Sequence, residues 1–339
     1  MEVTKDVSII IVNWNSVTFL DQCLFSIYQN TIDIDFEVIV IDNASFDGCE
    51  EMLQQKFPQV RFIQSDRNLG FAKANNTAFN LSTGRNILFL NPDTEIEAGA
   101  INFLHNCLIS LPKVGIVGAK LINSDNSIQT SCIQAFPTII NQFFNIDVLR
   151  NIFPRATIWG ISPLFLEKNT PTEVDAVSGA SLMINRSVFE TVGKFSTDYF
   201  MYSEDVDLCY KVHKKGWKAY YVPTAVIVHY GGSSTIHSGV SAFSSVMMLD
   251  SRQRFFRKTQ SWWYCWLYRV TMLLAGIIRI VSVLFIWPIL IKKGKKYFIK
   301  NVLEEWTACL SWTIGGENWV KSYYRPSHNY KSKKSEKLR

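Results

Sequence analysis

Three carboxylates crowd into four positions at Glu204, Asp205 and Asp207, inside the stretch YFMYSEDVDLCYK at residues 199–211. Like charges this close are costly unless a cation or a basic substrate group offsets them, and a helix N-terminus favours their ionised form. An ionised carboxylate in a crevice can serve as a general base at neutral pH. The same residues also fit an ordinary helix start, because Ser203 followed by acids is good capping chemistry. A second carboxylate centre lies in LFLNPDTE, residues 88–95. There an apolar run ends in Asn91, Pro92, Asp93, Thr94 and Glu95, and Asp93, fixed behind a proline, suits a hard divalent cation. A helix cap with acidic first-turn residues would look the same. His229, in VIVHYGGSS at 226–234, ends another apolar run. Two following glycines let it reach into a cleft, although a lone histidine is more often a core or surface residue.

The remaining polar clusters suit a nucleotide. In VIVIDNASFDG (38–48), an apolar run delivers Asp42 and Asn43, with Ser45 and Asp47 closing a turn. A carboxylate there can accept hydrogen bonds from a nucleobase imide or a ribose hydroxyl, and a plain Asx-turn is the other reading. DRNLGFAKANN (66–76) offers Asn68, Asn75 and Asn76, while Arg67 or Lys73 could lie near phosphate and Gly70 allows close backbone approach. Asn13 and Asn15 follow the first apolar run.

These residues need elements to hold them. Residues 7–12 (VSIIIV), 36–41 (FEVIVI) and 86–90 (NILFL) are short, continuous apolar runs, the pattern of strands buried on both faces. Between the first two, residues 18–28 place Phe19, Leu20, Leu24 and Ile27 at helical spacing. Residues 50–57 and 72–81 read as further crossover helices. Strand–helix–strand at this rhythm predicts an α/β fold with a parallel sheet, and ligands bind such sheets at the C-terminal strand ends. Three polar clusters fall at that edge: Asn13 and Asn15, Asp42 to Asp47, and Asn91 to Glu95. A less regular second region should contain strands at 115–120, 174–184, 219–222 and 226–228. Its helix is capped by Ser203 and followed by Gly216. We expect a nucleotide-binding half at 1–115, an acceptor-binding half at 116–251 and a separate C-terminal region at 252–339.

The chain has 339 residues, 47% of them hydrophobic, enough for a sizeable core. Seven cysteines without a CxxC pair predict neither a disulfide framework nor a zinc site, and suit a reducing cytoplasm. Residues 1–6 are polar and the apolar run after them is short, so no signal peptide is expected. No GxGxxG or P-loop follows a strand, which argues against a dinucleotide oxidoreductase or a P-loop NTPase. Asn13-Trp14-Asn15-Ser16 stands where a nucleotidyltransferase would need a glycine- and arginine-rich loop. A non-catalytic membrane scaffold is the alternative from another class.

The formal charge of +6 is concentrated near the C-terminus, including Lys331, Lys333, Lys334 and Lys337. Residues 270–291 are apolar, with Arg279 near the middle. A central arginine costs roughly 3 kcal/mol, which fourteen Leu, Ile, Val and Phe residues at roughly −0.5 each can offset. Arg252, Arg254, Arg257 and Lys258 precede the segment and Lys292, Lys293, Lys295 and Lys296 follow it. Both flanks therefore read as cytoplasmic, and Pro288 interrupts the last turns. This predicts a re-entrant or interfacial element with Trp262, Trp263, Trp266 and Trp287 near the headgroups, and leaves a buried hairpin as the other reading.

VNWNS at 12–16, IDNASFDG at 41–48, NLGFAKANN at 68–76, LNPDTE at 90–95, SGASLMINR at 178–186, YFMYSEDVDLC at 199–209 and the HYGGSS stretch, taken in order, resemble bacterial glycosyltransferase family 2, especially its dTDP-rhamnose-using branch. The likeness spans roughly residues 5–235. It implies a GT-A fold and an inverting single displacement from a nucleotide-sugar donor, with Mg²⁺ or Mn²⁺ as cofactor. It further implies a lipid-linked or polysaccharide acceptor of O-antigen or capsule type at the cytoplasmic membrane leaflet, and no nucleic-acid partner. Asp42 would contact the donor base within a donor set of Asn13, Asn15, Asn43, Ser45, Arg67, Asn68, Gly70, Asn75 and Asn91. Asp205 would be the base, Glu204 would help hold the acceptor hydroxyl, and Asp93 and His229 would hold the metal. The chain departs from the family pattern at Asn91, which stands at the first acidic position of the metal motif. Phosphate oxygens would then have to complete the metal shell.

Overall fold

A computed structural model describes residues 4–145, 147–166, 169–231, 241–292, 296–317 and 320. The three apolar runs form β1 (Lys5–Asn13), β2 (Phe36–Asp42) and β4 (Gly84–Leu90), joined in parallel with β3 (Arg61–Gln64). Ile9, Ile10, Ile11, Ile39, Val40, Ile87 and Leu88 are fully buried. Their β-branched and branched side chains fill both faces of a covered parallel sheet. Helices α1 (Val17–Asn30), α2 (Cys49–Lys56) and α3 (Phe71–Phe79) make the crossovers, as the periodicity predicts. Asn13 lies opposite Asp42, so both leave the sheet at the same level.

Among the described residues the sheet has nine strands in the order β3-β2-β1-β4-β10-β6-β11-β5, with β8 also on β11. Here β5 is Thr94–Ile96, β6 is Val114–Ile122, β8 is Thr172–Val174, β10 is Ser181–Asn185 and β11 is Lys218–His229. β10 runs antiparallel to β4 and β6, making the sheet mixed. The single strand expected at 174–184 is three pieces. β9 (Ala176–Val177) leaves the main sheet to pair with β7 (Ile133–Gln134), and residues 178–180 turn back into β10. Conversely, the strands expected at 219–222 and 226–228 are one. Pro223 cannot donate to the ladder, so the register shifts between Val222 and Val226 without ending the strand.

Helix α8 (Glu204–Lys214) lies where expected, but Ser203 does not cap it. Ser203 has φ 66° and its side chain makes no cap bond; Tyr202 before it has φ 67°. Two successive left-handed residues without glycine store backbone strain at the helix start.

The expected division at 115/116 falls inside β6 and the one at 251/252 inside the helix Ser241–Thr259. Phe255 and Phe256 on that helix are buried in the same core as the sheet, and Phe255 meets Tyr210 of α8 edge-on at 5.4 Å. The basic residues around 252–258 are accordingly drawn inward. Arg252 is buried, Arg254 pairs with Asp250 at 2.7 Å and Lys258 pairs with Asp207 at 3.0 Å. Arg257 and Lys258 keep the exposure expected of a membrane flank, although the Lys258 ammonium is turned to Asp207.

The helix Trp262–Lys292 follows, and packs along the helix Lys296–Thr313. Gly276 permits this, since a Cβ there would stand 2.6 Å from Leu310. Arg279 lies over the Trp306 ring at 4.1 Å and donates to the Phe143 and Asn145 carbonyls, which satisfies its charge inside the protein. The opposite face is bare and apolar: Trp262 is 83%, Trp266 63% and Phe285 86% exposed. The stretch Trp262–Pro288 is long and apolar enough to cross a membrane. Lys293, Lys295 and the lysines at 331–337 lie outside the described residues.

Candidate active site

At the ends of β1 and β2 the sequence's polar residues meet, bonded mainly to one another. Asp42 is fully buried. It accepts from the Asn13 amide at 3.0 Å, the Gln64 amide at 2.8 Å, the Ser45 and Phe46 backbone N–H groups at 3.0 and 3.1 Å, and the Ser45 hydroxyl. Burial works against its ionisation, and those donors, Ser45 and Gln64 foremost, outweigh burial and hold its carboxyl below the usual range. Asp47 accepts from the Asn13 amide and from the N–H groups of Ser16 and Val17 at 2.9 and 3.0 Å, closing the first turn of α1. Asn13 donates to both acids, while its Oδ1 is buried without a partner among the described residues.

Asn43 stitches the next loop to the sheet. Its Oδ1 accepts from the Leu69 N–H at 2.7 Å and its amide donates to Asn68, which in turn accepts from the Gly70 N–H. The close approach at Gly70 is to protein. A Cβ there would lie 2.4 Å from the Phe200 carbonyl, which accepts from the Phe71 N–H at 3.1 Å. Arg67 and Asn15 are exposed beside the crevice. Asn75 is buried, its amide donating to the Phe71 carbonyl in its own helix.

Asp93 and His229 come together through a ladder the sequence hid. β5 pairs antiparallel with β11, placing His229 opposite Thr94. His229 Nε2 then lies 3.4 Å from Asp93 Oδ1 and 3.3 Å from the Asn91 amide. Gln129, unremarked in the sequence, grips His229 from behind. Its amide N–H groups donate to the Asn123 side chain at 2.8 Å and the His229 carbonyl at 2.5 Å, which leaves Oε1 facing Nδ1 at 2.8 Å. Nδ1 therefore carries a proton, and Nε2 is the nitrogen that faces Asp93 and the Asn91 amide. That is the tautomer and orientation a metal ligand needs. Gly232, Ser233 and Ser234 of the same motif lie outside the described residues. Asp42, Asp47 and Cys49 also approach within 4.8 Å of one another. Both carboxylates there already accept N–H donors, and burial first, then the Asp42 and Asp47 charges, pushes the Cys49 thiol up. Asp93 and His229 could hold a cation between them.

The third centre is the start of α8. Asp205 accepts from the Gly179 N–H at 3.0 Å and from the Val206 N–H at 2.8 Å. Gly179 sits so close that a Cβ there would be 3.4 Å from Asp205 Cβ. Glu204 is buried; burial and the neighbouring Asp205 charge push its carboxyl up to about 8. Asp207 belongs to the scaffold, bonded to Ser196, Tyr199 and Lys258. The turn 178–181 joins this centre to the cation site. Its Ala180 carbonyl accepts from the Asn91 N–H at 3.0 Å while its Gly179 N–H holds Asp205. The sequence offered SGAS as a motif but no role for Gly179, and nothing in it distinguished Gln129 or Arg252.

The sequence profile of Glycosyl transferase family 2 matches residues 8–193, and that of Glycosyl transferase family group 2 matches 121–314. An N-acetylglucosaminyl-diphospho-decaprenol L-rhamnosyltransferase of Mycobacterium tuberculosis is 33% identical over 211 residues, 58% of this chain and 67% of that protein. The rhamnosyltransferase WbbL of Escherichia coli K12 is 25% identical, over 74% of this chain and 91% of its own. In structure, the mannosyltransferase PcManGT from Pyrobaculum calidifontis, solved with GDP-Man and Mn²⁺, aligns with a TM-score of 0.57 at 17% identity over 93% of this chain and 90% of that one. The fold is GT-A, as the motifs implied. With its mixed sheet and its carboxylates gathered at one edge, the chain belongs to glycosyl transferase family 2 and is a glycosyltransferase whose relatives include rhamnosyltransferases.

Proposed function

We propose that the protein transfers a sugar, L-rhamnose from dTDP-rhamnose, with inversion onto a lipid-linked saccharide of a bacterial surface glycan at the cytoplasmic leaflet of the membrane. The observation that carries this reading is the turn 178–181, which ties a cation site to a separately held carboxylate. An inverting transfer needs a base on the acceptor side and a neutralised leaving group opposite, whereas a glycosidase needs two carboxylates flanking one bond. The rhamnosyltransferase relatives support rhamnose as the sugar. The mycobacterial relative's name supports a diphospho-lipid acceptor.

Asp205, held by two N–H donors, takes the proton of the acceptor hydroxyl as its oxygen attacks the anomeric carbon from the face opposite the diphosphate. Glu204 beside it, largely protonated at neutral pH, orients that hydroxyl or its neighbour without competing for its proton. Asp93 and His229 would hold a divalent cation, with donor phosphate oxygens completing the shell. The bound ion would offset the charge that develops on the departing nucleoside diphosphate. A carboxylate–imidazole pair favours Mn²⁺ over Mg²⁺, which binds nitrogen poorly. Asn13, Asn43, Asn68 and the turn at Asp42 form the walls of the donor crevice, and the exposed Arg67 and Asn15 stand at its mouth. The bare face of Trp262–Lys292 would rest in the membrane beside the acceptor. The test is transfer by purified full-length protein with a panel of nucleotide sugars, Mn²⁺ and a short-chain diphospholipid sugar. Product should form with the inverted anomeric configuration, stop in EDTA and resume with Mn²⁺. Retention of configuration, or full activity in exhaustively chelated buffer, would refute the mechanism.

A further inference from the structure

Arg252 reaches from the helix Ser241–Thr259 into the acceptor side of the site. It is only 9% exposed, and one of its terminal nitrogens, Nη2, donates to Gln134 at 2.7 Å. Nε and Nη1 are buried with no hydrogen-bond partner among the described residues, and so is Glu204 Oε2. Burial pulls the guanidinium's pKa down, and Asp205 foremost among the carboxylates opposes it. The two catalytic-site acids therefore lie within electrostatic range of Arg252. A buried charge whose N–H groups are not satisfied costs several kcal/mol, so a fold that keeps one has a use for those donors. The guanidinium is also the group that best matches a phosphate.

We propose that Arg252 binds the phosphate that carries the acceptor sugar, holding the acceptor by its anionic end while Asp205 faces its hydroxyl. This rests on the reading of the protein as a transferase to phosphate-linked sugars. The protonated state of Glu204 leaves the pocket with one negative and one positive group, so an incoming phosphate does not meet two carboxylates. Position agrees as well. Two turns after Arg252 the helix ends, and Trp262 opens the bare apolar helix. The apolar helix that would meet a membrane thus begins ten residues after Arg252. Donor diphosphate belongs to the opposite centre, at Asp93 and His229.

The experiment compares two acceptors bearing the same sugar: a short-chain alkyl diphosphate sugar and the corresponding alkyl glycoside without phosphate. Arg252→Gln should raise KM for the diphosphate acceptor about 10- to 100-fold, the loss of hydrogen bonds to a charged group. It should change KM for the neutral glycoside and for the donor by less than about 3-fold, and Arg252→Lys should restore part of the difference. Equal losses with both acceptors would make Arg252 a structural residue, and a selective rise in donor KM would assign it to the donor; either overturns the proposal. A second measurement avoids any folding defect. With wild-type protein, a short-chain alkyl phosphate should bind calorimetrically and compete with the diphosphate acceptor but not with the donor. No binding, or competition against the donor, also overturns it. A protein that binds the alkyl phosphate through Arg252 yet transfers no sugar would instead sink the transferase reading and leave the anion site standing.

Discussion

Gln129→Leu isolates the part of the cation site that touches neither metal nor substrate. The substitution keeps volume roughly constant but removes the 2.8 Å contact on His229 Nδ1 and the donor to the His229 carbonyl. His229 loses both its tautomer and its rotational lock, so the Nε2 lone pair faces Asp93 only part of the time. Losing such an outer partner of a metal-bound histidine typically costs 10- to 100-fold in affinity, about 1.4–2.7 kcal/mol. Removing the carbonyl's donor adds about 1–3 kcal/mol of destabilisation. Mn²⁺ titrations followed by the paramagnetic resonance of free Mn²⁺, at saturating nucleoside diphosphate, would read the first. A thermal melt without metal reads the second and shows that the variant is folded. His229→Ala gives the scale. If Gln129→Leu binds Mn²⁺ as tightly as wild type while His229→Ala does not, the lock is irrelevant and the tautomer argument fails.

Asp205→Asn should lower turnover about 10²- to 10⁴-fold with donor affinity within a few-fold, by steady-state kinetics and nucleotide binding; near-normal turnover would remove Asp205 from the base role. Glu204, with an ordinary carboxyl pKa of 4.5 raised to about 8 in the fold, keeps its proton where the unfolded chain has released it. Stability should therefore fall as pH rises from about 4.5 to about 8 and flatten above, and Glu204→Gln should make that slope shallower in pH-dependent melts. An unchanged slope would place the buried proton elsewhere. Truncation after Ser251 removes Phe255 and Phe256 from the core, each worth about 3–5 kcal/mol against a typical total of 5–15. The truncated chain should be insoluble, and a soluble product with a cooperative melt would contradict the packing.

The nucleotide half was legible because its signals are local. A fully buried parallel strand is a continuous apolar run, so β1, β2 and β4 announced themselves, and with them the edge where Asn13, Asp42 and Asn91 gather. What escaped depends on pairing across the chain. β5 is three residues long and exists as a strand only against β11, a partner more than a hundred positions away. Gln129 reaches His229 because its backbone N–H is held by the Leu121 carbonyl of β6, the parallel neighbour of β11. Arg252 looked like part of a membrane flank because charge density is visible in sequence whereas burial is not. Ser203 carried the right side chain for a cap, but its left-handed backbone turns that side chain away from the α8 N-terminus.

Gly70 joins the two halves with almost no clearance: its α-carbon faces the Phe200 carbonyl where even a methyl would lie at 2.4 Å, and the next residue bonds to that same carbonyl. Asn43 fastens the Gly70 loop to the donor crevice, and Phe200 lies four residues before Glu204. In the proposed mechanism the gap between leaving group and base is therefore gauged by main-chain atoms on both sides, like the fixed jaws of a caliper. Side chains around it can vary with the sugar and the acceptor, while the span across which the bond must be exchanged is set once, when the chain folds.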